Sequence, residues 1–480
     1  MFFVRYTIII NVFLCIFVFN TLNALSFFNF TDSHLSKFFS AYEQYISNAE
    51  KKNIKEEEKI FKEAYDLLIK NYIYEYNDKA KDDLINKAIE YLKIENDKLK
   101  STTREVSAKT LMQNTMLALF NSIDAHTVYM IPSKADEFTS HLTGKYKGIG
   151  VMFNFDKTKN LLKIIKVFDN SPAKKAGIQK NDYIYAVNAK QITINDKLDE
   201  IINTIKGSDG TTVKITLKRD DELIDVLVTR GDYYVPSVEY KIYDNKYAYI
   251  VINSFNQDTA TLFRNAIYAT SLNSLDGLII DIRNNPGGLL PAVVLVADNI
   301  LSGEKIVSIK GRDENYNKTF LSINKILVKD DIPIVVLINS LSASASELLS
   351  GALAINNRAV LMGESTFGKW SVQSSYNLSD KSIFNITTQL FYGPKNSTFQ
   401  GIGIAPDIEI VDSKTKVFRE KDYPNYLKTS DINNVIRSPK ISVLEKKCPS
   451  NYENSDYILG CAILYLQSNS NIESFKKRLK

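Results

Sequence analysis

Five consecutive aliphatic residues, Ile334-Val335-Val336-Leu337-Ile338, run straight into Asn339-Ser340-Leu341-Ser342-Ala343-Ser344-Ala345-Ser346-Glu347. A strand without a polar face has to be covered on both sides, and the small residues after it turn the chain into a helical pattern reaching Ile355. Tyr247 to Ile252 and Gly277 to Ile282 are apolar runs of the same kind, and Thr259 to Thr270 carries a helical pattern. Strands alternating with helices predict an α/β core. At 480 residues the chain exceeds one compact domain, so two to four modules are expected.

Other regions carry other periods. From about Leu35 to Leu142 the pattern is helical and heavily charged: Phe61, Ala64, Tyr65 and Leu68 share one face, as do Leu84, Ala88, Tyr91 and Leu92. With the more apolar stretch Leu111 to Ile123, these predict amphipathic helices of a bundle or of a dimer arm. The pattern changes at Gly144. Gly148 to Phe153, Leu161 to Val167, Asp182 to Asn188 and Val213 to Leu217 read as strands, with a helix face at Leu198, Ile201, Ile202 and Ile205. About ninety residues of this kind make a small self-contained domain. Charge is mixed along the chain, 60 basic against 55 acidic residues for a net +5, which argues against a dedicated nucleic-acid surface.

The N-terminus predicts export. Arg5 precedes an apolar run from Thr7 to Phe19, followed by a polar stretch and the small residue Ala24. A signal peptide over residues 1–24 is the favoured reading, and an anchor through residues 7–24 the alternative. Its removal takes Cys15 and leaves Cys448 and Cys461, 13 positions apart. In an exported protein such a pair would stabilise the tail by roughly 3 kcal/mol, and whether it forms stays open at this level. No Cys or His cluster suggests a metal, and no cofactor is expected. The three histidines, His34, His126 and His141, lie far along the chain from the motifs that follow.

The strand–turn–helix around Ser344 exposes a serine where helix N–H groups converge, so an oxyanion formed there would meet the N–H of Ala345. Three serines alternate, and the motif alone does not choose between attack and helix capping. Downstream, Gly363-Glu364-Ser365-Thr366-Phe367-Gly368-Lys369 sets a lysine after a glycine turn, entering the strand pattern Ser371 to Tyr376. A serine hydroxyl needs a base, and a desolvated lysine can be one. No histidine lies in this half of the chain to build a Ser-His-Asp triad.

Two resemblances sharpen this. Gly148-Ile149-Gly150-Val151, Ser171 to Gly177 and Asn181-Asp182 resemble a PDZ domain of the permuted bacterial form. That resemblance implies that Gly148, Ile149, Gly150 and Val151 hold a substrate's C-terminal carboxylate, with the peptide added as a strand. Ser342 to Glu347 and Gly363 to Gln373 resemble the motifs of the C-terminal processing (tail-specific) peptidases, a Ser-Lys family. Asp281 to Gly288, Tyr392-Gly393-Pro394 and Gly401 to Asp407 fit the same family, over roughly Leu111 to Ile410. The resemblance implies Ser344 as nucleophile, Lys369 as base 25 positions on, and Gln373 orienting the lysine. It also implies Gly288 as the second oxyanion donor beside Ala345. His126, in Asp124-Ala125-His126-Thr127, is expected to be structural. Trp370 stands where the family has glycine, expected either to crowd the S1 side of the cleft or to help desolvate Lys369.

The expected architecture is α+β multidomain: residues 1–24 signal or anchor, 25–142 helical, 143–231 a permuted PDZ domain, 232–412 an α/β (ClpP/crotonase-like) serine protease core, and 413–480 a tail. The tail gets no role beyond docking or dimer contacts. The expected function is an exported endopeptidase of the periplasm or cell envelope, cleaving proteins or peptides with free C-termini. A homo-oligomer and an adaptor protein are candidate partners. A catalytically silent PDZ scaffold or chaperone is the alternative, opposed by the joint presence of Ser344, Lys369 and Gln373. A hydrolase of small esters or lipids would have no use for the PDZ domain.

Overall fold

The computed structural model describes residues 32–102, 106–156, 158–193, 196–271, 274–323, 326–411, 417–429, 437–452 and 455–479. The expected signal segment lies outside them. Among the described residues no helix is long and apolar enough to cross a membrane. The chain divides into two compact units: Met1–Asp136 with Val238–Phe255 and Phe263–Lys480, and Glu137–Ser237 with Asn256–Leu262.

Helices α1 (Ser33–Tyr42), α2 (Lys55–Asn71), α3 (Asp78–Thr102) and α4 (Ala108–Asn121) open the first unit, and strand β1 (Val128–Met130) follows. In α2 the predicted face is the buried one, Phe61, Ala64, Tyr65 and Leu68, with Glu56, Glu57 and Glu58 at its electropositive N-terminus. In α3, Leu84, Ala88 and Leu92 are buried and Tyr91 only partly. Phe38 stacks on Phe61 at 4.0 Å, and Phe120 meets Phe384 at 4.4 Å. The same apolar cluster takes in Ile386 and Leu390. The helices are therefore a bundle sharing its core with distant strands of the unit, and not a free arm. Helix α5 (Pro132–Thr143) comes next.

The second unit contains β2 (Lys145–Gly148), β3 (Val151–Asp156), β4 (Leu161–Val167), α6 (Pro172–Lys175), β5 (Tyr183–Val187), β6 (Lys190–Gln191), α7 (Leu198–Ile205), β7 (Thr212–Arg219), β8 (Glu222–Thr229) and β9 (Gly231–Tyr234). Its main sheet has the order β3-β4-β5-β7-β8, with β6 on β5. β2 pairs separately with β9. The strand expected over Gly148 to Phe153 is broken, because Gly148 and Gly150 take φ values of 149° and 77°. At Gly150 a Cβ would lie 2.4 Å from that of Ser171, so only glycine fits. The Ile149 carbonyl accepts from Ala173 N–H at 2.7 Å and that of Gly150 from Phe168 N–H at 3.1 Å. The two sequence segments that suggested a PDZ domain thus lean on each other.

The first unit resumes with β10 (Val238–Tyr243), β11 (Tyr247–Ile252), α8 (Thr259–Ala269, from Phe263 on), β12 (Gly277–Asp281), α9 (Leu290–Asp298), β13 (Lys305–Gly311), β14 (Lys318–Leu321), β15 (Ile334–Ile338), α10 (Ala345–Ile355) and β16 (Val360–Gly363). β17 (Ser371–Asn377), β18 (Ile383–Tyr392), β19 (Ile408–Val411), β20 (Ile441–Leu444), α11 (Tyr457–Gln467) and α12 (Ile472–Arg478) complete it. Seven strands form a sheet of order β10-β11-β12-β15-β16-β19-β20, parallel except for the edge pair β10–β11. β12 and β15 are buried at every position, as their unbroken aliphatic sequences require. A second, antiparallel sheet runs β1-β18-β13-β14, with β17 also on β18.

The tail departs from expectation. β20 adds a strand to the parallel sheet beside β19. Leu459, Ile463 and Leu466 of α11 share one apolar cluster with Ile279, Val335, Leu337 and Ile408. Cys448 and Cys461 form a disulfide. Residues 437–452 and 455–479 thus belong to the core, because the sheet face they cover would otherwise lie bare.

Candidate active site

The three alternating serines have different fates. Ser342 is fully buried; its Oγ donates to the Ile282 carbonyl at 2.8 Å and accepts from Asn339 N–H at 3.0 Å. Ser346 is fully buried and donates to the Asn285 carbonyl at 2.9 Å. Ser344 is only partly buried, and its side chain faces Glu347 N–H in a capping-box arrangement without closing a cap hydrogen bond. It caps with its backbone: its carbonyl accepts from Glu347 N–H at 2.8 Å and Leu348 N–H at 3.0 Å. Its φ of 54° and ψ of −114° are strained for a non-glycine residue, the kind of corner that presents a nucleophile at a strand–helix junction.

The turn after β12 lies against this corner. Asn284 N–H donates to Asn339 Oδ1 at 2.9 Å, and Asn339 Nδ2 returns a bond to Asn284 Oδ1 at 2.8 Å. The Asn285 carbonyl accepts from Ala343 N–H at 3.0 Å. A side chain on Gly287 would reach 2.8 Å from Ser344 Cβ and 2.9 Å from Ala345 N. Phe255 clamps the turn, donating to the Gly287 carbonyl at 2.9 Å and accepting from Leu289 N–H at 2.6 Å. That bridge does not use Gly288 N–H, and Ala345 N–H opens α10. Among the described residues neither N–H has a hydrogen-bond partner. Ala345 N–H is thus a free donor directly after Ser344, and Gly288 N–H a free donor in the turn that lies against the corner.

Lys369 reaches the corner through Glu347, a fully buried carboxylate. Glu347 Oε2 accepts from the backbone N–H of Ser344 at 3.0 Å and of Lys369 at 2.8 Å. Oε1 accepts from Gly368 N–H at 2.8 Å and Thr366 Oγ1 at 2.6 Å. Burial outweighs these four donors and pushes the Glu347 pKa up to about 7. Lys369 Nζ points inward and donates to Gln373 Oε1 at 2.6 Å. Gln373 Nε2 donates to Ser371 Oγ at 2.9 Å and Thr387 Oγ1 at 3.2 Å. Burial lowers the Lys369 pKa, opposed by Glu420, Asp124 and Glu347. No hydrogen bond joins Ser344 Oγ to Lys369 Nζ among the described residues.

Behind the lysine stands a network that sequence reading missed. Thr387 Oγ1 donates to Asp124 Oδ1 at 3.1 Å, and Asp124 also accepts from His126 N–H, Thr127 N–H and Thr127 Oγ1 at 2.7–2.8 Å. His126 Nε2 pairs with Glu420 Oε2 at 2.7 Å, and Glu420 Oε1 accepts from Gln400 Nε2 at 3.0 Å. Burial and then the Lys369 charge lower the His126 pKa. His126 is remote from Lys369 only along the chain: pairing of β1 with β18 brings it within electrostatic reach. Trp370 does not line the cleft. It is fully buried, 5.1 Å from Phe399 and against Gly351 and Gly393, just before β17. Gly148, Ile149, Gly150 and Val151 lie in the second unit, at the entry to β3. No cluster of three or more His, Cys, Asp or Glu suited to a metal occurs among the described residues.

Comparison with known proteins adds relatives. The profile of Peptidase family S41 matches residues 246–410, and that of the PDZ domain residues 148–229. A carboxy-terminal-processing protease of Bartonella bacilliformis is 34% identical over 306 residues, covering 62% of this chain and 69% of that protein. A probable CtpA-like serine protease of Staphylococcus haemolyticus is 33% identical over 289 residues, covering 60% of this chain and 57% of that protein. The solved photosystem II D1 C-terminal processing protease aligns with a TM-score of 0.44 at 23% identity, over 74% of this chain and 93% of that one.

Proposed function

The chain belongs to peptidase family S41, the carboxy-terminal-processing serine proteases, and from that premise we propose that it cleaves peptide bonds by a Ser344–Lys369 dyad. One observation carries the reading: a single oxygen of Glu347 accepts the backbone N–H of both residues, while the lysine's ammonium is held inward by Gln373.

In this mechanism the neutral Lys369 amine takes the Ser344 Oγ proton as the oxygen attacks the scissile carbonyl. The C–O bond forms, the carbonyl electron pair moves to oxygen, and the N–H groups of Ala345 and Gly288 receive it. Collapse breaks the C–N bond, and Lys369 gives its proton to the leaving amine. Water, deprotonated by the same amine, then attacks the acyl carbon; the C–O bond to Ser344 breaks, and Lys369 returns the proton to Oγ. Lowering of the lysine pKa by burial favours the form that can accept a proton near neutrality. Gln373 keeps the amine from turning into solvent between steps.

Substrates in this reading are protein tails. The glycine loop at Gly148–Val151 offers backbone N–H groups to a C-terminal carboxylate, and β3, an edge strand, offers its side to the peptide. Export to the cell envelope completes the proposal, supported by the Cys448–Cys461 disulfide, a bond characteristic of oxidising compartments.

The test is cleavage of an unstructured protein ending in an apolar tail, by wild type, Ser344→Ala and Lys369→Ala. Wild type cleaves and both variants are silent; normal cleavage by either variant would remove it from the dyad. A wild type inert even with a PDZ-binding peptide present points instead to a scaffold.

A further inference from the structure

The C-terminal segment, which sequence reading left without a role, reaches the catalytic architecture at the Arg283 guanidinium. Arg283 stands two residues past β12 and one before Asn284, the first residue of the turn that lies on the serine corner. Its side chain is 16% exposed and pinned between two carboxylates. On one side Nε and Nη2 donate to Asp281, at 3.0 and 2.5 Å. On the other, Nη1 and Nη2 donate to the two oxygens of Asp456, at 3.0 and 2.5 Å.

Asp456 is itself fixed. It is the N-cap of α11, accepting from Leu459 N–H at 3.0 Å. Five residues on, Cys461 is bonded to Cys448. Between them Gly460 receives the Pro449 carbonyl so closely that a Cβ there would lie 1.9 Å from its oxygen. The strap 448–449 therefore sits flush on α11 and holds the position of Asp456 along the sheet.

We propose that Asp456 is a positioning residue for the oxyanion turn. Acting through Arg283, and held in register by the disulfide, it fixes residues 284–288 so that Gly288 N–H faces the Ser344 corner. This rests on the reading of Gly288 as an oxyanion donor. Without the Asp456 carboxylate a nearly buried guanidinium loses half of its bidentate partners, and the main chain at residue 283 shifts to recover them. Asn284 is the next link, tied to Asn339 by two amide bonds, so the shift passes into the turn. A donor displaced from the developing oxyanion weakens the transition state more than substrate binding, so kcat falls and KM does not.

The discriminating variant is Asp456→Ser, because serine keeps the helix cap yet offers Arg283 no anion. It is compared with wild type, Asp456→Glu and the double variant Cys448→Ser/Cys461→Ser. Reactive serines are counted with a fluorophosphonate, and kcat and KM are measured per labelled site on a tailed peptide. Asp456→Ser and the double variant are expected to lose about tenfold in kcat per labelled site, with KM within about twofold, while Asp456→Glu recovers part of the loss. An unchanged kcat per labelled site in Asp456→Ser overturns the proposal. So does a loss appearing only as fewer labelled sites or a lower melting temperature, since that describes a brace with no hold on the turn. A wild type that neither takes the label nor cleaves would sink the Ser–Lys reading first, and this inference with it.

Discussion

The serine corner and the lysine turn share one carboxylate but are made of different materials. Around Ser344 the parts are mostly main chain and small or amide side chains: a fully buried strand, the Asn284–Asn339 pair, Gly287 pressed on the serine and Phe255 clamping the turn. Around Lys369 they are polar side chains gathered from far along the sequence: Gln373, Thr387, Asp124, His126 and Glu420. Main-chain N–H donors do not titrate, whereas the lysine's protonation depends on its neighbours. The first region sets geometry and the second sets acidity.

That contrast can be broken at its ends. Ser344→Ala and Lys369→Ala should each lower kcat by about 10⁴–10⁶-fold with the fold intact, measured as initial rates on a tailed peptide and checked by thermal melting. A double variant no worse than either single one would show that the two residues act as a unit.

Glu347 is where the regions join, so Glu347→Gln should harm both. Its amide offers one acceptor oxygen where the carboxylate offers two, leaving some of the four donors unmet. A fall in kcat of about 10²–10³-fold is expected, with slower fluorophosphonate labelling of Ser344. Labelling at the wild-type rate would confine Glu347 to the lysine side.

Glu347 also makes stability and activity respond oppositely to pH. Its folded-state pKa is raised from 4.5 to about 7, so the folded state binds the extra proton between those values. Its contribution to stability is fully present below about 4.5 and is lost as pH rises through about 7. In the proposed mechanism the ionised carboxylate is the form that holds the N–H groups of both Ser344 and Lys369, so activity should rise over the same window. Melting temperatures of wild type and Glu347→Gln at pH 4.5 and 7.5 check the sign: wild type should lose more on going up.

Asp124→Asn touches the lysine side alone. The Asp124 charge raises the Lys369 pKa, so its removal should move the ascending limb of the pH–rate profile to lower pH. Maximal kcat should fall only about three- to tenfold, because Gln373 keeps its bond to Ser371. A limb that stays in place would separate Asp124 from the lysine. Smallest of all, Trp370→Phe should leave kcat within about threefold while costing roughly 1–2 kcal/mol of stability, read by denaturant titration. The ring packs against Gly351 and Phe399, not the cleft.

Sequence made one region far more legible than the other. The serine corner is local: an aliphatic strand, a small-residue turn and a helix start adjoin one another, and their order is their geometry. Glu347 stood in the same motif, but its bonds to Gly368 and Lys369 belong to the tertiary fold. The lysine's supporting groups were invisible for the same reason: Asp124 meets Thr387 because β1 and β18 pair, and Glu420 reaches His126 from a turn beyond β19. Most of the antiparallel sheet escaped notice because β18 carries Asn385, Thr387, Thr388 and Gln389 among its apolar residues, as a half-polar strand does. β20 escaped because it is four residues long and follows β19 only after a long connection.

The positive φ of Ser344 limits which amino acids this corner can accept. Threonine carries the same hydroxyl, but its branched Cβ is poorly tolerated at positive φ and would add bulk where even a Cβ on Gly287 would come within 2.8 Å of the serine's Cβ. Cysteine adds no branch and fits the backbone as serine does. Evolution at this position is thus steered by backbone shape as much as by reactivity: a thiol enzyme lies one tolerable step away, while a threonine enzyme would require the neighbouring glycine turn to be rebuilt.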